Sequence, residues 1–300
     1  MPLPLLAAVV LLIPLGLDLF MPVPEDNPIT AEKIELGRRL FNDRRLSRDG
    51  SIACASCHDP ARAFSDGRAL SVGVVGRVGR RNAPGIINRG YGRAFFWDAR
   101  ARTLEEQVLG PIEDPSEMDL EISEAARRVG LSPQQMARAL ATYVRSIMSG
   151  NSPYDRYVNG ARGALSAEQQ AGLRIFRGSG NCTACHIGPT FSDETVHNTG
   201  VAWRDPSASS GQAPGYFADA GAGNGSFKTP TLREVARTAP YMHDGSLATL
   251  EEVVDFYDRG GNRNPFLDRE LRPLGLTGLE KRALVAFLRS LSGSVVDGPS

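Results

Sequence analysis

All four cysteines of this 300-residue chain lie in two copies of one five-residue motif. The first copy is CASCH at residues 54–58, and the second is CTACH at residues 182–186. In each copy two residues separate the cysteines, and a histidine directly follows the second cysteine. Any fold of this chain must therefore present two equivalent groups of paired sulfur atoms and an imidazole.

Paired cysteines at this spacing occur in disulfides, in redox-active or zinc-binding pairs, and in covalently attached haem c. The first two kinds of site do not need a histidine next to the second cysteine. Haem c does, because two thiols bond to the two vinyl groups of one porphyrin and the adjacent imidazole becomes the proximal iron ligand. The motifs therefore predict two haem c groups: haem 1 on Cys54 and Cys57 with His58, and haem 2 on Cys182 and Cys185 with His186.

The composition is that of a globular protein with no polyanionic partner. Hydrophobic residues make up 41% of the chain, and a chain of 300 residues is long enough for one large domain or two ordinary ones. Lys+Arg and Asp+Glu each number 34, so the formal net charge is zero and nothing indicates binding to nucleic acid.

The amino-terminal stretch MPLPLLAAVVLLIPLGLDLFMPVPEDNP contains an apolar run of signal-peptide length that is short for a membrane span. It has neither a basic start nor an obvious small-x-small cleavage site. Residues 1–25 are accordingly predicted to be a signal peptide or an uncleaved N-terminal anchor, and the protein is predicted to be exported to the periplasm.

An internal repeat predicts two haem units, at residues 26–150 and 151–300. Each haem motif follows a predicted helix with Ser or Thr at its start (residues 29–41 and 165–176), and is followed by AFSD or TFSD. Each unit then has a helix that begins with a capping box, TLEE at residues 103–106 and at residues 249–252. The expected fold class is mainly all-α, with two tandem cytochrome c-like domains and long loops.

Further helices are predicted at residues 132–148, with Ser132 as the cap and Pro133 at the first position, and at residues 276–293. Residues 204–226 are rich in Gly, Ser and Ala without apolar periodicity, which predicts a surface loop.

The capped helix is the repeated element left to cover the haem face opposite the proximal histidine. Aligning the two copies matches Gln107 with Val253 and Pro111 with Tyr257. Proline cannot bind iron, so haem 1 is expected to have an open sixth position, whereas a tyrosine can bind iron and favours its oxidised form. Tyr257 is therefore a candidate ligand of haem 2. An ordinary half-buried tyrosine, with Met242 as the ligand, is the alternative.

These motifs resemble the bacterial dihaem cytochrome c peroxidase family, and within it the MauG-like branch with a His/Tyr haem. The resemblance spans residues 30–291 and is strongest in FFWDARARTLEEQVLGPIEDPSEM and TAPYMHDGSLATLEEVVDFYDRGG. It implies that haem 1 is the peroxide site and haem 2 the electron-transfer site. The implied catalytic residues are Trp97 between the haems and Gln107, Pro111 and Glu117 beside haem 1, and the tyrosine ligand of the MauG-like branch falls on Tyr257.

The resemblance also implies a calcium ion held by Asn82, Thr238 and Pro240, and calcium accepts such oxygen ligands. Many family members carry a histidine that leaves haem 1 on activation, in the loop that here reads SVGVVGRVGRRNAP. Its absence from this loop favours a permanently open haem 1.

Ordinary structural roles are the alternatives for several of these residues. Trp97 would otherwise be a core aromatic, and Glu117 a solvated loop carboxylate. His197 and His243 are expected to brace loops, since neither adjoins a cysteine pair. Lys228, Arg100 and Arg102 are expected near the haem carboxylates without a catalytic role.

The predicted activity is reduction of hydrogen peroxide to water. Its electrons would come from a small cytochrome c or cupredoxin, or, as in MauG, from oxidation of side chains in a protein substrate. The alternative is a non-catalytic dihaem electron-transfer cytochrome, and a homodimer is possible by family resemblance. An open haem 1 next to Gln107 and Glu117 favours the enzyme, because an electron carrier needs two strong axial ligands and a closed pocket.

Overall fold

The computed structural model describes residues 11–205 and 215–298 and shows a mainly helical protein with short strands. Its α-helices, numbered in chain order within these residues, are α1 (Ala31–Phe41), α2 (Cys54–Cys57), α3 (Leu104–Gln107), α4 (Gly110–Glu113), α5 (Ile122–Val129), α6 (Pro133–Ser146), α7 (Pro153–Val158), α8 (Ala167–Arg177), α9 (Leu250–Asp258) and α10 (Gly278–Arg289). The strands are β1 (Ile147–Gly150), β2 (Val196–His197), β3 (Trp203–Arg204), β4 (Tyr216–Phe217), β5 (Phe227–Lys228) and β6 (Ser294–Asp297).

The strands form three small antiparallel pairs, β1 with β6, β2 with β5 and β3 with β4. Single turns of 3₁₀-helix connect many of the elements; they lie at Arg44–Leu46, Pro60–Arg62, Val74–Gly76, Arg89–Tyr91, Arg162–Ala164, Cys182–Ala184 and Val235–Arg237. Long irregular connections between these elements carry most of the residues of the site described below.

The helix starts predicted from caps are confirmed. Thr30 accepts a hydrogen bond from the Lys33 N–H at the start of α1, and Ser132 and Gln135 form a capping box at the start of α6. Such side chains satisfy backbone donors that have no partner inside the first helical turn. The prediction for residues 132–148 was two residues too long, because the chain leaves α6 at Ser146 to enter β1.

The same helix-on-helix contact occurs in both halves of the chain. In the first half α1 packs on α6, and a Cβ at Gly37 would lie 2.1 Å from the Ala139 carbonyl oxygen. In the second half α8 packs on α10, and a Cβ at Gly172 would lie 1.9 Å from the Ala283 carbonyl oxygen. A glycine at the crossing lets two backbones approach closely, so the repeat seen in the sequence is also a repeat of packing.

We expect Gly37→Ala to lower the free energy of unfolding by ~1–3 kcal/mol, the usual cost of overpacking a close contact. Chemical denaturation followed by circular dichroism measures this. Gly163→Ala is the matched control, because a Cβ at Gly163 would meet no atom within 4 Å. A Gly37→Ala protein as stable as the control would contradict the close approach of α1 and α6.

Two hydrophobic clusters lie on either side of residue 150. The first includes Ile34, Leu40, Phe41, Phe64, Ile112, Met136, Leu140, Tyr143 and Ile147. The second includes Leu173, Phe176, Phe191, Leu250, Val254, Leu284, Phe287 and Leu291. The sequence did not predict that β6 would return from the second half to pair with β1, in a register that places Asp297 opposite Ile147.

Residues 11–25 of the predicted signal peptide or anchor pack onto the body of the protein, while residues 1–10 lie outside the described residues. Leu11, Leu17 and Met21 are each only 9% exposed. The Asn151 N–H donates to the Leu15 carbonyl at 2.7 Å. No helix in the described residues is long and apolar enough to cross a membrane.

The two capped helices differ between the halves. Thr249 and Glu252 start the continuous helix α9, whereas the equivalent box of Thr103 and Glu106 starts α3, which is followed after a short break by α4. Pro111 lies in the first turn of α4, where its missing N–H leaves no helical donor unpaired. Gln107 and Pro111 were expected on one capped helix, and they instead lie on two consecutive short helices.

Candidate functional site

A cavity of about 1060 Å³ extends between the two halves of the chain. This is at the upper limit of the ~300–1,000 Å³ range of pockets for single small molecules. Its lining includes Cys57 and His58 of the first motif together with Cys182, Cys185 and His186 of the second. The other predicted site residues that line it are Asn82, Trp97, Gln107, Pro111, Glu117, Thr238, Pro240 and Tyr257.

The first motif forms the single turn α2, and the His58 N–H donates to the Cys54 carbonyl at 3.0 Å. The imidazole Nδ1 of His58 lies 3.1 Å from the carbonyl oxygen of Phe64. A carbonyl only accepts, so Nδ1 carries the proton and Nε2 keeps its lone pair. The backbone of Phe64 has φ 58°, an uncommon value for a bulky residue, which the fold maintains next to the motif.

The second motif repeats this arrangement. Nδ1 of His186 donates to the Phe191 carbonyl at 2.7 Å, and Phe191 has φ 54°. A metal-binding histidine generally donates its other ring N–H to an acceptor of this kind, which fixes the tautomer and the ring orientation. The repeated AFSD and TFSD segments therefore have a structural role, because their phenylalanine carbonyls orient the two imidazoles.

Both imidazoles are held in the neutral form. Burial lowers the pKa of His58, and burial also lowers the pKa of His186 to about 4. Neutral imidazole is the form that binds a metal ion. The two histidines are therefore oriented and uncharged before any iron binds.

The cysteines fit covalent haem attachment better than the alternatives. All four are free thiols, and burial raises the pKa of Cys54 and of Cys182 to about 12. A zinc site needs converging thiolates, but across residues 11–205 and 215–298 the one cluster of potential metal ligands is Cys185, Asp193 and His197. Two separate thiol pairs, each beside an oriented imidazole, fit two haem c groups; Cys57, Cys182 and Cys185 line the large cavity, whereas Cys54 does not.

Gln107 and Pro111 are carried to the cavity by the break between α3 and α4. The side-chain amide of Gln107 makes no hydrogen bond to any residue in the described ranges, and it remains available to a ligand. Pro111 offers no ligating atom, and its carbonyl accepts the Met118 N–H at 3.1 Å, which anchors the loop that follows.

Glu117 is enclosed, which is contrary to the solvated role weighed from sequence. Its carbonyl accepts the Val74 N–H at 2.8 Å and its N–H donates to the main-chain carbonyl of Asp114 at 2.9 Å, so its backbone is held from both sides. Burial raises the pKa of Glu117 to about 7, the Asp114 carboxylate adds to this rise, and Arg100 opposes it. A carboxyl group with a pKa near neutrality, on the same cavity as the free amide of Gln107, is suited to proton transfer.

Trp97 lies where the two halves meet. Its indole N–H donates to the Asn82 carbonyl at 2.9 Å, and its own carbonyl accepts the Lys228 N–H at 2.7 Å. The first half therefore holds the indole and the second half holds the Trp97 backbone, in the wall of the shared cavity.

Tyr257 projects from α9 into the cavity near the second motif. Burial raises the pKa of the Tyr257 phenol, and the neighbouring Cys185 and Cys182 add to the rise. Its hydroxyl has no hydrogen-bond partner among the described residues, and its ring packs edge-on against Phe256. Met242, the alternative ligand, also lines the cavity.

The three residues implied for calcium all line the cavity. The Asn82 amide nitrogen donates to the Arg68 carbonyl at 2.7 Å, which leaves Oδ1 as its ligand atom. The backbone N–H of Asn82 donates to the His243 carbonyl at 2.7 Å and so ties it to the loop that carries Thr238 and Pro240.

The remaining histidines make the kind of contacts expected of loop-bracing groups. His197 lies between Asp268, at 2.7 Å from Nδ1, and Asp193, at 2.9 Å from Nε2. Interaction with Cys185 raises the pKa of His197 to about 10. The Asp268 and Asp193 carboxylates also raise this pKa, whereas burial lowers it. His243 stacks on Phe227 at 3.6 Å between ring centroids.

Of the three basic residues expected near the haem carboxylates, Lys228 and Arg100 line the cavity and Arg102 is exposed. Arg100 is already paired with Asp98 at 2.9 Å. The buried ion pair of Arg89 and Glu194, at 2.8 Å and beside Lys228, was not predicted from the sequence. No spacing pattern joins residues so far apart along the chain, so this pair had no sequence signal.

Comparison with known proteins gives a consistent result. Residues 31–163 match the family described as di-haem cytochrome c peroxidase. The methylamine utilization protein MauG of Methylorubrum extorquens is 38% identical over 90% of this chain and 81% of that protein. The cytochrome-c peroxidase IdrP2 of Denitromonas iodatirespirans is 39% identical over 90% of this chain and 84% of that protein.

The fold agrees with the sequence matches. A crystal structure of a MauG-like protein associated with microbial copper homeostasis superposes with a TM-score of 0.77 at 35% identity, over 91% of this chain and 92% of that chain. The similarity therefore extends over both halves and is not restricted to the haem motifs.

Proposed function

The chain belongs to the di-haem cytochrome c peroxidase family of oxidoreductases that act on peroxide, and from this premise we propose that the cavity beside Glu117 is the peroxide site. The two haem c groups of the family would be held by Cys54, Cys57 and His58, and by Cys182, Cys185 and His186. The reaction takes up two electrons and two protons, and it converts one hydrogen peroxide into two waters. The observation that carries the proposal is a carboxyl group with a pKa of about 7 on a cavity shared by both motifs.

Iron of haem 1 would supply the site that binds peroxide and the electrons that cleave its O–O bond. The protein must then move a proton from one peroxide oxygen to the other, so that water can leave. Glu117 is suited to this transfer because its pKa of about 7 makes both of its protonation states accessible near neutral pH. The held backbone on either side of Glu117 keeps the carboxyl group in place.

Gln107 and Pro111 shape the same site. The free amide of Gln107 can donate to one peroxide oxygen and accept from the other. Pro111 keeps a ligating side chain away from the position that corresponds to Tyr257 in the other half. We infer that this asymmetry divides the roles: the first half binds substrate, and the second half, with Tyr257 as iron ligand, stores and passes electrons.

Trp97 is proposed as the contact through which electrons cross between the halves. Its indole N–H is held by the Asn82 carbonyl, and its main-chain carbonyl is held by the Lys228 N–H. Rigid placement matters here because the rate of electron transfer depends on the distance between donor and acceptor, and a fixed Trp97 keeps that distance constant.

The electron source is proposed to be a small cytochrome c or cupredoxin in the periplasm, with oxidation of a protein substrate as the second candidate. The second candidate is supported by Tyr257, which the MauG-like branch has at this position. An exported location is consistent with two covalent haem motifs and with the apolar start of the chain. We also propose that the protein forms a homodimer, as related peroxidases do.

The test of this function is the reaction of the purified dihaem protein with hydrogen peroxide. We expect a high-spin ferric haem whose spectrum changes rapidly on adding peroxide, and two low-spin, unreactive haems would refute the proposal. Turnover with reduced small cytochromes and cupredoxins then separates the two electron sources. Fast turnover with either carrier excludes protein oxidation as the main role.

The calcium ion is proposed to bind Asn82 Oδ1 and the main-chain carbonyls of Thr238 and Pro240. We expect Asn82→Ala to lower calcium affinity at least ~10-fold, since loss of even an outer partner of a metal has an effect of this size. Metal analysis after dialysis measures the bound ion. Asn42→Ala is the control, because Asn42 is exposed and likewise donates one amide bond, to the Arg38 carbonyl at 2.9 Å. Equal calcium content in both variants would exclude this site.

A further inference from the structure

A buried lysine, Lys228, lies where the two halves meet, and the sequence placed it only in the general neighbourhood of the haem carboxylates. Lys228 is on β5, its side chain is 9% exposed, and it lines the cavity together with Trp97. Its backbone N–H donates to the Trp97 carbonyl at 2.7 Å. Lys228 therefore lies in the cavity wall beside the proposed route between the two haems.

The protein supplies few acceptors for this amine. Nζ donates to the Thr229 carbonyl at 2.7 Å and lies 3.5 Å from Oε1 of Glu194. An ammonium group has three donors, so at least one N–H has no acceptor among the described residues. A buried charge with an unused donor is costly unless a ligand pairs with it.

Glu194 does not neutralise Lys228 alone, because it already binds Arg89. The Arg89 guanidinium donates to both oxygens of Glu194, at 2.8 and 2.9 Å, and the Arg93 N–H donates to one of them at 3.1 Å. Two cations thus share one carboxylate. Arg89 and Lys228 line the cavity, whereas Glu194 is not among its lining residues, so the excess positive charge faces the cavity.

Burial lowers the pKa of Lys228 to about 7; Arg89 adds to this effect, while Glu194 and Asp193 oppose it. An anion in the cavity would raise the pKa of Lys228 again and keep the amine charged. Only three of the 34 basic residues in the chain are lysines, and Lys228 is the buried one.

Lys228 is tied to the second haem motif. The Ser192 hydroxyl donates to the Thr229 carbonyl at 2.7 Å, and the adjacent Asp193 N–H donates to the Cys185 carbonyl at 2.9 Å. The loop that carries Cys185 and His186 is therefore hydrogen-bonded to the strand that carries the amine.

We propose that Lys228 pairs with a carboxylate of the porphyrin attached at Cys182 and Cys185, and that its positive charge sets the reduction potential of that haem. The porphyrin of haem c bears two carboxylates, and they are the anions that this cavity must accommodate. The inference rests on the proposed attachment of haem 2. Lys228 acts here as a positioning and electrostatic residue that does not contact peroxide.

Potentiometric titration of the dihaem protein tests this inference without measuring activity. Lys228→Met removes a positive charge, and this favours the ferric form. We therefore expect the ferric–ferrous equilibrium of haem 2 to shift toward ferric by ~10-fold or more. For a one-electron couple this lowers the reduction potential by ~59 mV or more. Lys228→Arg should restore most of the potential because it keeps the charge. Lys281→Met is the matched control, since Lys281 pairs with Asp255 and Asp258 near the surface.

Glu194→Gln supplies a second measurement with the opposite sign. Removing this negative charge should raise the potential of haem 2, whereas a purely structural defect would not move the two variants in opposite directions. Potentials of Lys228→Met and Glu194→Gln that both equal the wild-type value would overturn the proposal. Haem staining and mass measurement of the wild-type protein separately test haem attachment at Cys182 and Cys185. A failure of this attachment can therefore be distinguished from a failure of the proposed role of Lys228.

Discussion

Glu117→Gln is expected to slow the reaction with hydrogen peroxide by ~10²–10⁴-fold, the range contributed by a positioned general acid–base group. Glutamine has nearly the same shape and can still form hydrogen bonds, but it cannot take a proton from one peroxide oxygen and return it to the other. Stopped-flow spectroscopy of the ferric protein measures the rate constant. The resting spectrum should be unchanged, because Glu117 is not proposed to bind iron.

The pH dependence gives a second signature of the same residue. The carboxylate form accepts the first proton, so the wild-type rate should rise with pH and level off above the Glu117 pKa of about 7. Glu117→Gln should lose this inflection. Asp114→Asn should move it to lower pH, because the Asp114 charge contributes to the raised pKa.

The control for Glu117 is Glu113→Gln, which changes an exposed carboxylate at the end of α4. It should react with peroxide at the wild-type rate. A Glu117→Gln protein that reacts within threefold of this control would eliminate Glu117 as the proton-transfer group. In that case the buried carboxyl would be a structural residue with a perturbed pKa.

Local signals in the sequence explain which parts of the fold were predictable. The starts of α1, α6 and α9 were predicted correctly because a capping side chain acts on backbone donors within three residues of itself. The pairing of β1 with β6 was not predictable in this way, because each strand has four residues and its partner lies in the other half of the chain. The packing of residues 11–25 was also missed, since an apolar run has the same composition in an export signal and in a core.

The same distinction between local signals and long-range contacts applies to the candidate site. The cysteines and proximal histidines were predictable because covalent attachment requires them to be adjacent in sequence. The carbonyls of Phe64 and Phe191 that orient the histidines are backbone atoms, and backbone atoms leave no trace in residue identity. The role of Glu117 came from family resemblance alone, because its burial depends on contacts with residues distant in the chain.

Tyr257→Met is expected to raise the reduction potential of haem 2 by at least ~0.2 V, within the roughly 0.8 V span that axial ligands and their surroundings produce. A phenolate is anionic and stabilises ferric iron, whereas a neutral thioether favours ferrous iron. Without metal, burial and the neighbouring Cys185 and Cys182 raise the pKa of Tyr257 and keep the phenol neutral. Iron binding must therefore displace the phenol proton, as metals do with other acidic ligands.

Tyr241→Phe is the matched control for this change. Tyr241 lines the same cavity, but its hydroxyl already donates to the Val235 carbonyl at 2.9 Å. Removing the Tyr241 hydroxyl should leave the reduction potential of haem 2 unchanged. A potential shift in Tyr257→Met that is absent from Tyr241→Phe therefore identifies the Tyr257 phenol as the ligand. If Tyr257→Met and Tyr257→Phe both keep the wild-type potential and Met242→Leu changes it, then Met242 binds the iron, and the proposed division of roles between the two halves fails.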